Sequence, residues 1–94
     1  MYKFIITLKL KPGALETVRE AAKPCQKATR AEPGCVSYDF YVSIDDPEAM
    51  IFVECFKDKA AHAWHSDQPY VKTFLEMFRP LSHRLTVETI NVAE

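Results

Sequence analysis

Apolar side chains recur at every second position near the start of the chain. In "YKFIITLKL" (residues 2–10), Phe4, Ile6 and Leu8 share one side. With its β-branched and aromatic content, this predicts a first strand that ends at the turn Lys11-Pro12-Gly13. From about Ala14 to Ala31 the period becomes helical. Leu15, Val18, Ala22, Cys25 and Thr29 make one stripe, and charged residues occupy the rest. Pro24 lies inside this helix, removes a backbone bond and predicts a kink or a split. "EPG" at 32–34 ends the element.

Alternation returns in "CVSYDFYVS" (35–43), with Val36, Tyr38, Phe40 and Val42 on one side, and after the "IDDPEA" loop a third strand covers "MIFVECFK" (50–57). These two strands should pair antiparallel. Asp58 has the chemistry of a helix N-cap. The helix it starts covers Lys59 to about Ser66. Pro69 is expected to interrupt it, a second helical piece to cover roughly Val71 to Phe78, and Pro80 to close that piece. "RLTVETINV" (84–92) reads as the fourth strand, with Leu85 and Val87 opposite Ile90 and Val92 and room for one bulge.

The order β-α-β-β-α-β predicts a ferredoxin-like α+β fold, a four-stranded antiparallel sheet with both helices on one face. Such a sheet usually has one apolar and one polar face. Here Ile5, Tyr41, Ile51, Val53 and Cys55 make the second face apolar as well. The helices cannot cover both, and apolar patches this large are rare on monomers, so a homodimer is expected, two sheets meeting face to face.

Composition narrows the function. Ninety-four residues make one domain over 1–94, and twelve basic and thirteen acidic residues give a net charge of −1. No basic stripe suggests nucleic acid, no apolar run suggests a membrane span, and a cytoplasmic setting follows by default. Cys25, Cys35 and Cys55 are odd in number and lack CxxC spacing, so they read as small buried hydrophobes.

The chemistry concentrates in "ECFKDKAAHAWHSDQPY" (54–70). His62 and His65 stand one turn apart on a helix. Neither Glu54 nor His83 completes a zinc-site spacing with them, so no metal is expected. With Ala61 and His65 on the inward stripe, His65 is the buried histidine and His62 lies nearer the rim. Glu54, in an otherwise apolar strand, needs a partner if buried. Glu54, His65 and Tyr70 therefore form a candidate catalytic cluster. The expected pocket lining is Tyr38, Phe40, Phe52, His62, Trp64, Phe74 and Phe78.

The set "EPGCVSYDFY" and "DDPEAMIFVECFKDKAAHAWHSDQPYVKTF" resembles the antibiotic biosynthesis monooxygenase superfamily. That signature runs E-x-G-x-x-x-Y/F, a D-P loop, then E-x-W/Y/F-x-D-x-x-A-x-x-x-H-x-x-x-P-H. The likeness covers nearly the whole chain, and the spacing from Glu54 through Asp58, Ala61, His65 and Pro69 is its most specific part. The family's histidine after the proline is Tyr70 here.

The resemblance implies a dimeric α+β barrel with one pocket per subunit. It also implies a cofactor-independent monooxygenase acting with O2 on a small quinol or phenolic aromatic, His65 serving as base. An alternative implied by the same resemblance is an isomerase of the phosphorylated autoinducer-2 kind. Lys72, Arg79 or Arg84 would then meet the phosphate. A barrel that binds a ligand without reacting is the competing class, favoured by the departure at Tyr70. Haem-degrading relatives are disfavoured, since their asparagine, tryptophan and haem-ligating histidine fall at Thr7, His65 and Leu75.

Overall fold

β1 (Tyr2–Leu10) runs through the middle of a four-stranded antiparallel sheet, between β3 (Ala49–Phe56), which in turn pairs with β2 (Cys35–Val42), and β4 (Ser82–Asn91). The computed structural model describes residues 1–91 and, for 84, 85, 90 and 91, the backbone alone, so Val92 lies outside the described residues. Gly13 turns the chain out of β1 with φ +78°, a conformation that favours glycine. α1 (Leu15–Arg30) then crosses the sheet, burying Val18, Ala22, Cys25 and Thr29. Pro24 neither splits nor ends this helix. Both Pro24 and Glu20, whose carbonyl loses its donor, are exposed on the outer side, where water can replace the missing bond.

β2 (Cys35–Val42) and β3 (Ala49–Phe56) pair antiparallel, with one register shift between Cys35 and Ser37, and set Tyr38 opposite Glu54 and Phe40 opposite Phe52. α2 (Lys59–Ser66) starts at Asp58, whose carboxylate accepts the Ala61 amide at 2.8 Å. Pro69 separates the two helical pieces and opens α3 (Pro69–Phe78), since proline at a first position sacrifices no bond. A 3-10 turn, Arg79–Leu81, leads into β4 (Ser82–Asn91). β4 pairs with β1 through one register shift between Thr7 and Leu8, the bulge for which the sequence leaves room.

Opposed residues in an antiparallel pair share a face, so the register sorts the sheet. Phe4, Ile6, Leu8, Tyr38, Phe40, Met50, Phe52, Glu54 and Phe56 face the helices, and most of them join Val18, Cys25, Phe74 and Phe78 in the core. Ile5, Val53, Ile51 and Tyr41 lie on the other face, which no helix among the described residues covers; Ile51 and Tyr41 are 40% and 56% exposed. The three cysteines are thiols, Cys25 and Cys55 buried and Cys35 half-buried. Burial, with Glu32 nearby, pushes the Cys35 thiol up to about 11. No helix is long and apolar enough to cross a membrane among the described residues.

Candidate active site

A cavity of about 300 Å³ opens between the sheet and helices α2 and α3. Phe4, Ile6 and Leu8 of β1 form its floor, with Phe52 beside them; Val71, Phe74, Leu75 and Phe78 of α3 form the wall. Three polar groups converge at one end: Glu54 from β3, and His62 and His65 from α2.

His65 is 3% exposed and does not float in this pocket. Its Nδ1 lies 2.9 Å from a carboxylate oxygen of Glu32, a residue in the turn after α1 that is itself 7% exposed. The same Glu32 oxygen accepts the hydroxyl of Tyr70 in a short hydrogen bond. An ionised carboxylate can only accept, so Nδ1 must carry the proton and donate it. In the neutral ring the lone pair then falls on the other nitrogen, Nε2, which lies 3.9 Å from Glu54, too long for a direct hydrogen bond. The ring is held between Tyr38 and Phe56, with centroids 5.2 and 4.9 Å away.

The turn that delivers Glu32 depends on its last residue. A Cβ on Gly34 would sit 2.5 Å from the Ala61 Cβ, so only glycine lets α2 come this close. The Gly34 carbonyl accepts the Lys57 amide at 2.9 Å, tying the turn to the end of β3.

Electrostatics follow from burial. Desolvation, with the nearby charge of Glu32, pushes the Glu54 carboxyl up to about 7, so near neutrality it is partly protonated and able to donate as well as accept. Burial holds the His62 imidazole below its ordinary value, with His65 adding to the shift. Burial and the bond to Glu32 push the Tyr70 phenol up, so it stays a donor.

The candidate residues divide into those that line the cavity and those that do not. Glu54, His62, His65, Tyr38, Phe52, Phe74 and Phe78 line the cavity. Trp64 does not: it is half exposed, because one position along a helix from His65 turns the side chain by about 100°. Phe40 faces the helices but sits behind the lining, stacked on Phe74 at 5.7 Å. Tyr70, expected in the catalytic cluster, reaches neither the cavity nor His65; its hydroxyl meets Glu32 instead. Glu32 enters the sequence analysis only as the first residue of the E-x-G pattern and of the "EPG" that ends the helix, with no role at the site. Lys72 is exposed and outside the lining, while Arg79 lines the cavity. The side chain of Arg84 lies outside the described residues.

The chain belongs to the antibiotic biosynthesis monooxygenase family, whose model matches residues 1–77. An uncharacterised protein of Synechocystis, sll1783, is 32% identical over 69 residues, 73% of this chain but 47% of its own length, so the match spans about half of that relative. YcnE of Bacillus subtilis, provisionally named a monooxygenase, is 26% identical over 68 residues, 72% of each chain. Among solved structures, one from Nitrosomonas europaea assigned to the same family superposes with a TM-score of 0.92 over 100% of both chains at 22% identity, a likeness of fold.

Proposed function

We propose that this protein is a cofactor-independent monooxygenase of small quinols or phenolic aromatics, with His65 as the base. The observation that carries the reading is the Glu32–His65 contact. It turns an unprotonated Nε2 toward an apolar, aromatic-walled cavity, where a flat phenol can lie against Phe52, Phe74 and Phe78.

The chemistry then needs little from the protein. Nε2 takes the proton of a substrate hydroxyl, and Glu32 stabilises the imidazolium that forms. Glu54, in its protonated form, donates a hydrogen bond to the substrate oxygen. The electron-rich anion reduces O2 directly. For a quinol, one oxygen atom converts a ring C–H to C–OH, and the other leaves as water with the two hydroxyl hydrogens. The product is a hydroxyquinone, and the substrate supplies all four electrons.

The working form is a homodimer joined through the uncovered sheet face. Ile5 opposite Val53, and Ile51 between Thr7 and Tyr41, give that face an apolar centre that no helix among the described residues covers.

Oxygen uptake with menadiol at neutral pH, spontaneous autoxidation subtracted, tests the activity. The wild type should accelerate uptake, and His65→Ala should lose roughly 10²–10⁴-fold of that acceleration, the usual worth of a positioned base. An undiminished rate in His65→Ala removes His65 as base. No acceleration with menadiol or any naphthol ends the monooxygenase reading.

A further inference from the structure

The cavity has two chemically different ends, and β1 measures the distance between them. Phe4 pairs with Glu54, and its ring lies 4.2 Å from that of His62, which marks the acid–imidazole end. Ile6 pairs with Phe52 and Val87 in the middle. Leu8 pairs with the backbone of Arg84, and Leu10 with Ser82. All three apolar residues line the cavity, so it follows four residues of strand, about 13 Å. Arg79 stands at the far end, in the turn that leads directly into Ser82, which also lines the cavity.

Arg79 carries the lining's permanent positive charge among the described residues. Its guanidinium makes no ion pair or hydrogen bond with them. Lys9, Arg19, Lys23 and Arg30, by contrast, each hold a carboxylate at 2.6–3.2 Å. The opposite end holds the carboxyl group of Glu54, with Glu32 behind His65, and, among the described residues that line the cavity, no lysine or arginine. A ligand with one anionic end has a single favourable orientation in such a cavity.

We propose that the ligand is an elongated hydroxylated aromatic with an anionic substituent at the end remote from the reacting hydroxyl. Arg79 binds that anion, and the hydroxyl reaches His65 and Glu54. This rests on the aromatic-substrate reading above and adds a requirement to it. The guanidinium offers a fork of donors suited to a carboxylate or a phosphate, so either group satisfies it. Arg79 thereby sets which end of the ring system meets the base.

Fluorescence titration with naphthols of defined geometry separates the possibilities. In 6-hydroxy-2-naphthoate the hydroxyl and carboxylate lie at opposite ends. It should bind the wild type about tenfold or more tightly than 2-naphthol, the worth of a hydrogen-bonded charge pair. In Arg79→Gln the ratio of the two affinities should collapse toward one. In Lys72→Gln, which removes an equal charge outside the cavity, the ratio should persist. Moving the carboxylate beside the hydroxyl, as in 3-hydroxy-2-naphthoate, should forfeit the advantage. Tighter binding of 6-hydroxy-2-naphthyl phosphate than of the carboxylate, with the same dependence on Arg79, would support the proposal and assign the anion as phosphate. Equal affinities for charged and neutral naphthols, or an advantage that survives in Arg79→Gln, overturns the anion seat and leaves the aromatic reading standing. If no naphthol binds at all, both fall.

Discussion

Glu32 and His65, thirty-three positions apart in the chain, meet at 2.9 Å with both side chains almost wholly out of water. The contact joins the turn after α1 to the last turn of α2. In the proposed reaction it also sets which ring nitrogen would act as the base. Replacing Glu32 with Gln keeps the shape but offers an amide that can donate as well as accept, so the tautomer is no longer dictated. Glu32→Gln should reduce turnover of menadiol by roughly 10²–10⁴-fold, as loss of base catalysis does, with little change in KM. Tyr70→Phe, which removes a donor to Glu32 but leaves the His65 contact, should cost less, about 1 kcal/mol of stability by denaturant titration.

The raised Glu54 carboxyl ties stability to pH with the opposite sign from an ordinary surface acid. Its folded value of about 7 lies above the 4.5 taken for an unfolded glutamate. Between those values the folded state binds more protons than the unfolded one, so stability falls as pH rises through the window. Glu54→Gln should therefore be more stable than the wild type at pH 8, by at most about 3 kcal/mol, and the gap should close toward pH 4–5. Urea unfolding at a series of pH values reads this directly. A gap independent of pH would show that Glu54 does not titrate upward.

Close approach of α2 at Gly34 makes a steric prediction. Gly34→Ala should destabilise by about 1–3 kcal/mol, the cost of overpacking, and should reduce activity by displacing Glu32. Adding Ala61→Gly removes the opposing methyl. The double variant should recover part of the loss, less about 1 kcal/mol for glycine within a helix. Purely additive effects would mean the two positions do not collide.

A charge placed on the uncovered sheet face should separate the subunits. Ile51→Lys puts an ammonium at the apolar centre, opposite Thr7 and Tyr41. Sedimentation should show a dimer for the wild type at micromolar concentration and a monomer for the variant. A monomeric wild type contradicts the proposed assembly.

Much of this architecture was legible because it is periodic. Alternation in residues 2–10 and 35–43, and the stripe from Leu15 to Thr29, place three elements within a residue or two of their observed bounds. Pro69 does stand between two helical pieces as expected, but α3 begins at it rather than at Val71, because proline suits a helix start as well as a helix break. The site was only half legible. His65 and Glu54 stand out as polar residues on apolar faces, a signal that survives without coordinates. Glu32 lies in a turn, where a glutamate is unremarked, and its burial comes from α2 closing over it far along the chain. The cue was the E-x-G pattern itself, which holds both Glu32 and Gly34, but a pattern does not say which of its residues is buried against the site. Trp64 misled because a large aromatic invites burial, although its helical position fixed it outward.

The proposed reaction requires that Glu32 hold His65 with a proton on Nδ1 and a lone pair on Nε2 toward the cavity. Nitrogen-15 NMR of histidine-labelled protein at pH 8, with His65 assigned by comparison with His65→Ala, reads the tautomer directly. The account predicts a protonated Nδ1 and an unprotonated Nε2 in the wild type, with that preference lost in Glu32→Gln. A proton found on Nε2 in the wild type would contradict it, since the nitrogen facing the cavity would then have no lone pair with which to act as base.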